Sequence, residues 1–195
     1  MKLLNIALAS IGLAASSAPA SAQFYGSDGE QFIKAVQERN GNKATELIQS
    51  HPTIIDTKDE KGDTGLIIAI RGSDQDWTGF LLNKGADPNA QGSNGDTPLI
   101  TAAKSSFNDA ATWLLSLGAK VDGANRSGET PLIIAVQQRN VRLVKILLDA
   151  GADPDHTDAV AGYSAREYAD RDGRARDIQK LINEKKPKRT AATAN

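Results

Sequence analysis

Short apolar segments alternate with polar loops along this chain, and the apolar segments come in pairs. Between residues 96 and 124, the first segment places Leu99, Ala102 and Ala103 on one helical face. After a polar stretch, a second set follows at helical spacing: Ala110, Trp113, Leu114 and Leu117. Apolar residues three and four positions apart share one face of an α-helix. The pattern therefore predicts two amphipathic helices joined by a turn.

The residue types at the ends of these segments fit the same two helices. Thr97 can cap the first helix through its side-chain oxygen, and Pro98 suits the first helical turn, where its missing N–H costs nothing. Gly118 suits the left-handed position that follows the end of a helix. The polar residues between the two helices are suited to a turn: Ser105, Ser106 and Asn108.

The same unit recurs along the chain. The segments GDTGLIIAI, GDTPLITAA and GETPLIIAV begin at the evenly spaced positions Gly62, Gly95 and Gly128. A second marker, which reads KGADPNA, LGAKVDG and AGADPDH, recurs in phase with the first. An even period of about 33 residues indicates stacked supersecondary units with one continuous core.

The unit resembles the ankyrin repeat, because a T-P-L start, a helical L-L pair and a G-A-D end occur at fixed offsets. The resemblance implies an all-α ankyrin-repeat solenoid of helix-turn-helix units joined by hairpin loops. It covers residues 28–184, in which we expect about five units: 28–58, 59–91, 92–124, 125–157 and 158–184.

Several positions depart from the ankyrin pattern. Gly65 replaces the proline of the other units, and Gly79 lies inside the second helix of its unit. Each interior glycine costs about 1 kcal/mol relative to alanine, so we expect this full repeat to be the loosest. Arg166 stands where leucine is usual in the repeat. Where ankyrin repeats commonly have histidine after T-P-L, this chain has isoleucine: Ile67, Ile100 and Ile133.

The two ends of the chain differ in composition from the repeats. Residues 1–22 combine Lys2, a short apolar stretch and an Ala20-Ser21-Ala22 site, which predicts a Sec-type signal peptide cleaved after Ala22. The alternative, a membrane anchor, would need about 20 apolar residues. Residues 23–27 form a short lead, and the basic residues 185–195 are predicted to be a disordered tail. The predicted location is therefore the bacterial periplasm or the exterior.

Composition and motifs argue against an enzyme. The formal net charge is −1, there is no cysteine, and Met1 is the single methionine. His51 and His156 are typical of turn residues, with no pairing of nucleophile and orienting partner evident beside them, and no G-x-S-x-G, P-loop, H-E-x-x-H or dinucleotide motif occurs. Asp153, Asp155 and Asp158 resemble half of a calcium loop but lack its glycine and glutamate. We therefore predict no catalytic residue, cofactor, metal or nucleic-acid partner, and no membrane contact after cleavage.

The ankyrin resemblance implies that partners bind the concave side, made by the hairpin tips and the exposed side of the first helices. We call this set the inner surface, and by repeat position it comprises Lys61, Asp63, Arg71, Asn94, Asp96, Lys104, Arg126, Glu129, Gln137, Tyr163 and Arg171. One row before the first helices is mostly acidic, and one row at their far ends is mostly basic. The two rows either form charged edges of a groove or simply complement the helix dipoles.

These observations predict a monomeric, non-catalytic module that binds another protein as an adaptor or inhibitor in the periplasm. An alternative is a stress-protective accessory that supports a periplasmic oxidant-detoxifying enzyme. After cleavage the chain would contain no sulfur, and cysteine and methionine are the side chains most easily oxidised. Arg126 and Tyr163 are the strongest single candidates for partner contact, because arginine and tyrosine are enriched in interface hot spots.

Overall fold

The computed structural model describes the backbone of residues 20–184 and the side chains from Asp28 to Glu184. Within this range the chain forms five consecutive helix pairs. Their bounds are α1 Ala20–Gln37, α2 Gly41–Ser50, α3 Gly65–Arg71, α4 Gln75–Asn83, α5 Pro98–Lys104, α6 Asn108–Ser116, α7 Pro131–Gln137, α8 Val141–Asp149, α9 Ala165–Arg171 and α10 Arg176–Glu184. A short 3-10 helix, Pro52–Asp56, follows α2.

The pairs stack in chain order. Each odd-numbered helix packs on the next odd-numbered helix, and from α4 onward each even-numbered helix packs on the next even-numbered one. The starts of α3, α5 and α7 are one repeat period apart, as are those of α4, α6 and α8. In the described range, strand-like pairing is limited to two isolated bridges, Lys58 with Thr64 and Thr157 with Ser164. The predicted all-α repeat solenoid is therefore confirmed.

Helix caps set where the first helices of the second to fifth pairs begin, and we call these four helices, α3, α5, α7 and α9, the inner helices. The side-chain oxygen of Thr97 accepts the backbone N–H of Ile100 at 3.1 Å, as the sequence predicts. Thr64, Thr130 and Ser164 cap α3, α7 and α9 in the same way. The inner helices are only seven residues long, so tertiary packing rather than intrinsic propensity must stabilise them.

A left-handed residue makes the tight turn between the two helices of each full repeat. Ser73, Ser106 and Arg139 occupy the same position in successive repeats and have φ values of 52°, 53° and 55°. This conformation is uncommon for a residue other than glycine. The turn predicted around Ser105 and Ser106 is present, and the left-handed residue within it is Ser106.

The core runs through all five pairs as one cluster made mainly of leucine, isoleucine, valine and alanine, together with Phe32 and Trp77. Ala102 and Ala103 are fully buried, so small side chains do let neighbouring helices approach closely. One predicted core position is wrong: α6 ends at Ser116, and Leu117 is the C-cap residue with 53% of its surface exposed. The apolar spacing continues past the point where Gly118 turns the chain away from the core.

Gly65 has a packing role that the sequence does not reveal. A Cβ atom at this position would lie 3.2 Å from Val36 Cγ2 and 3.4 Å from Phe32 Cε1. The missing methyl group therefore gives α1 room to approach the start of α3. The expectation that this repeat is the loosest stays a prediction.

The predicted terminal segments lie largely outside the described residues. Residues 1–19 and the tail 185–195 are beyond the described range, while α1 begins at Ala20 and includes the predicted cleavage position and the lead 23–27. None of the helices within 20–184 has both the length and the apolar character needed to cross a bilayer. Export, tail disorder and the monomeric state stay predictions.

Candidate functional site

The structure brings the two charged rows of the inner surface together. In the second repeat, Arg71 Nη1 donates to Asp63 Oδ2 at 2.7 Å across eight residues. In the third repeat, Lys104 Nζ donates to both carboxylate oxygens of Asp96, at 2.9 and 2.7 Å. The acid before each of these inner helices therefore binds the base at the end of the same helix.

The acids of these two pairs are buried and the bases are exposed. Asp63 and Asp96 retain only 1% and 6% of their surface, whereas the side chains of Arg71 and Lys104 are almost half exposed. The two carboxylates thus hold the cations in place and are themselves shielded from solvent. A groove with one exposed acidic edge, as one interpretation of the sequence suggested, is not formed in these two repeats.

Asp63 also ties its repeat to the next hairpin. Its Oδ1 accepts hydrogen bonds from the backbone N–H and the hydroxyl of Ser93, both at 2.8 Å. Burial alone would raise the pKa of Asp63, but the hydrogen bonds from Arg71 and Ser93 outweigh it and lower the pKa below 3.8. Asp63 is therefore held as a carboxylate that joins two repeats.

The fourth repeat replaces the ion pair with an amide bridge. Gln137 stands where the earlier repeats have a base, so Glu129 has no cation at the far end of its helix. Instead, Asn125 Nδ2 donates to Glu129 Oε2 at 2.9 Å and to Asp96 Oδ1 at 3.0 Å. Asn125 thereby links the third repeat to the fourth, with Glu129 half-buried and Gln137 exposed.

The fifth repeat replaces the acid with an aromatic ring. The guanidinium carbon of Arg171 lies 3.9 Å from the ring centroid of Tyr163, within the range of a cation–π contact. The rings of Tyr168 and Tyr163 pack edge to face, with 5.6 Å between their centroids. The hydroxyl of Tyr168 donates to Asp158 Oδ2 at 2.8 Å. Tyr163 is half-buried, and Arg171 is exposed above it.

The hairpin tips are joined to one another in series. The backbone N–H of Arg126 donates to the carbonyl of Asn94 at 3.0 Å, and that of Ala159 donates to the carbonyl of Ser127 at 2.8 Å. Lys61, Asn94 and Arg126 lie at these tips with their side chains at least partly open to solvent. Some of the side chains predicted for the inner surface are exposed to solvent. The backbone that carries them is held in place by helix caps, turns or hydrogen bonds between neighbouring tips.

Sequence reasoning missed the last tip. Ala159, Val160 and Ala161 are exposed there, and Val160 keeps 80% of its surface. The spacing of the repeat glycines could have revealed this longer tip. Gly62, Gly95 and Gly128 are evenly spaced, but Gly162 comes one position later than that spacing predicts. The extra residue lengthens this tip, and its residue types make it apolar where the other tips are polar.

The acidic residues that resembled half of a calcium loop have structural partners instead. Asp155 Oδ1 accepts Arg166 Nε at 2.7 Å, Asp153 accepts the N–H of Asp155, and Asp158 accepts the N–H groups of Val160 and Ala161. In the described part of the chain, no group of three or more His, Asp or Glu side chains is placed to hold a metal ion. At the first repeat, His51 Nδ1 lies 3.3 Å from Asp28 Oδ2.

The stacked helix pairs match a known protein family. The family described as ankyrin repeats, in three copies, matches residues 32–123 and 79–158. Together these segments span most of the stacked helix pairs. No curated protein matches the chain.

Proposed function

The chain belongs to the ankyrin-repeat family, and on that premise we propose that it is a non-catalytic module that binds another protein as an adaptor or inhibitor. Ankyrin repeats generally serve protein–protein interaction, and ankyrin-repeat proteins are typically non-catalytic. A shared scaffold does not identify a partner, so the argument for this chain depends on its own surface.

The observation that supports binding is the rigid presentation of the inner surface. Arg71 and Lys104 are anchored by buried carboxylates, and the tips carrying Asn94 and Arg126 are hydrogen-bonded to each other. Side chains that are already ordered lose less conformational entropy when a partner docks. A surface of this kind suits recognition without rearrangement of the backbone.

We place this binding in the bacterial periplasm. The support is the charged start, short apolar stretch and small-residue cleavage site of residues 1–22. Fractionation of cells that express the full-length chain tests this part, since export predicts a periplasmic product that begins at Gln23. A full-length cytoplasmic product, with Met1 retained, would contradict it.

Crosslinking in a periplasmic extract tests the binding surface. The variant Lys61→Glu/Arg126→Glu reverses two exposed charges on separate hairpin tips, and we expect it to lose the dominant crosslinked partner of the wild-type protein. The matched control is Arg176→Glu/Lys180→Glu, which reverses two exposed charges on α10. Equal loss in both variants, or retention of every partner in the first, would reject the inner surface as the binding site.

The same crosslinking experiment distinguishes the role of a stress-protective accessory from that of an adaptor or inhibitor. A chain without sulfur after cleavage would tolerate an oxidising compartment, which favours an accessory to an oxidant-detoxifying enzyme such as a catalase. This role predicts that the crosslinked partner is such an enzyme and that deletion of the protein lowers its activity in the periplasm. A partner of another class would leave only the adaptor or inhibitor role.

A further inference from the structure

The pairing of acid and base along the inner surface stops after the third repeat, and the next cation in the same row is Arg171. Arg71 and Lys104 are neutralised by the aspartates at the start of their own helices, and Gln137 carries no charge. Arg171 faces Tyr163 at the same offset, so its cation is stacked on an uncharged ring. Within the described residues, Arg171 forms no ion pair at hydrogen-bonding distance.

The acids around Arg171 are engaged elsewhere. Glu167 accepts hydrogen bonds from the N–H and hydroxyl of Ser164 at the start of α9, and it attracts Arg171 only through space, without an ion pair between the two side chains in the described residues. Asp172 is paired with Arg139, whose Nε lies 2.5 Å from its carboxylate. The guanidinium of Arg171 is therefore exposed, oriented by an aromatic face and available to an external anion.

Arg126 adds a second cation to the same end of the surface. It is exposed on the tip next to the last one, and no ion pair involving it occurs in the part of the chain that the structure describes. The Ser127 carbonyl beside it accepts the Ala159 N–H, so this tip and the apolar tip are held side by side. Positive charge and apolar surface are thus adjacent.

The apolar tip and a shallow cavity complete the surface. Val160 is 80% exposed on the longest tip, where it adds apolar surface beside the charged residues. A cavity of about 360 Å³ opens beside Arg171 and is lined by Val136, Gln137, Arg139, Tyr168, Arg171 and Asp172. Its walls combine an aromatic ring, an aliphatic side chain and polar heads.

We propose that the end of the inner surface formed by Arg126, Val160, Tyr163 and Arg171 binds an acidic segment of the partner in which a carboxylate lies next to an apolar side chain. Charge complementarity supports this assignment, because the two unpaired guanidinium groups match carboxylates in geometry and sign. Val160 and the Tyr163 ring supply the apolar contact. This inference rests on the proposed protein-binding function and specifies the chemistry of its partner.

Peptide selection tests the inference without knowledge of the partner. We would select binders of the purified protein from a random phage-displayed peptide library, then measure their affinity by fluorescence anisotropy. We expect the selected sequences to share Asp or Glu beside an aliphatic or aromatic residue. Arg171→Gln should weaken a selected peptide by about tenfold, because it removes a charge-assisted hydrogen bond between the guanidinium group and the peptide carboxylate.

Matched variants make the result specific to this end of the surface. Arg176→Gln makes the same change on α10 and should leave the affinity for the peptide unchanged. Val160→Ser should weaken binding. A peptide in which the consensus Asp or Glu is replaced by Asn or Gln should no longer bind. Selection without an acidic consensus, or equal affinity for the wild type and Arg171→Gln, would overturn the inference. The proposed function would still stand if the crosslinked partner were lost in Lys61→Glu/Arg126→Glu but kept in Arg171→Gln.

Discussion

Arg166 donates from Nε to Asp155 Oδ1 at 2.7 Å, and this ion pair links the fourth repeat to the fifth. Earlier repeats are linked at the equivalent position by a side-chain oxygen that accepts a backbone N–H of the next repeat. These links run from Asp56 to the Asp87 N–H, from Asn89 to the Lys120 N–H and from Asp122 to the Asp153 N–H, at 2.9, 2.8 and 2.9 Å. Between the last two repeats, the Arg166 side chain therefore provides the hydrogen-bond donor that a backbone N–H provides between the earlier repeats.

Replacement of Arg166 by leucine, the usual residue at this position of the repeat, should destabilise the last helix pair. The variant loses the donors to Asp155 and to Asn183, and because the pair is partly exposed we expect a loss of about 1 kcal/mol. Thermal denaturation should show a midpoint lower by about 2–4 °C, and hydrogen exchange should be faster in α9 and α10. Arg174→Leu, at an exposed arginine of the same repeat, is the control and should change neither measurement.

A buried hydroxyl in α4 offers a stabilising substitution. Thr78 is fully buried, and its Oγ1 has no hydrogen-bond partner in the described residues. The equivalent positions of the next two repeats hold Ala111 and Val144, so a valine already fits this site in another repeat. Thr78→Val should raise the free energy of unfolding by about 1 kcal/mol, because an unsatisfied polar group is replaced by an apolar one of the same shape.

Thr101→Val is the matched control for this prediction. Thr101 is also buried, but its hydroxyl donates to the carbonyl of Thr97 at 3.0 Å. Loss of that hydrogen bond should offset the gain in apolar burial, so the control should not be stabilised. Urea denaturation of both variants measures the difference, and stabilisation of equal size at both sites would show that the unpaired hydroxyl is not its cause.

Two glycines of the second and third repeats should respond in opposite ways to alanine. Gly79 lies inside α4 with open space around its Cβ position, so Gly79→Ala should stabilise the protein by about 1 kcal/mol through helix propensity. At Gly92, a Cβ atom would lie 2.5 Å from Asp63 Oδ1 and 2.7 Å from Ile67 Cδ1. Gly92→Ala should therefore destabilise the stack, and guanidinium denaturation of the two variants should give shifts of opposite sign.

The fold could be predicted from the sequence because each repeat carries its own local signals. The cap at Thr97, the turn at Ser106 and the periodic leucines act within a few residues of one another, and the regular period extends them along the chain. The same period placed the inner surface at the hairpin tips and the ends of the first helices. These are properties of short segments, for which backbone geometry and burial follow closely from residue type.

Contacts between separate segments could not be predicted in the same way. The burial of Asp63 depends on Ser93 from the next repeat, and the role of Arg166 depends on Asp155 from the previous one. The sequence pattern treated both residues as departures or exposed charges, because charge alone does not reveal which partner satisfies it. The apolar tip at Val160 was missed for a different reason, since a single inserted residue leaves the repeat markers almost in register.

The stability of the stack should depend on pH through its buried carboxylates. The pKa values of Asp63 and Asp158 lie below 3.8, because hydrogen bonds to the ionised form outweigh the burial that would raise them. A group whose pKa is lower in the folded state contributes stability that is complete above its unfolded pKa and is lost as the pH falls through the folded pKa. We therefore expect the free energy of unfolding to decrease on acidification below about pH 4.

The variant Asp63→Asn assigns part of this pH dependence to one residue. Asparagine retains the shape and can still accept from Ser93, but it carries no charge for Arg71 and does not titrate. Urea denaturation at a series of pH values should show a lower stability than wild type near neutral pH and a shallower decrease below about pH 4, so that the two curves converge in acid. The control Asp76→Asn changes an exposed aspartate of α4 and should leave the slope of the curve as it is in the wild type. Parallel curves for wild type and Asp63→Asn would mean that the Asp63–Arg71 contact does not contribute to stability through its charge.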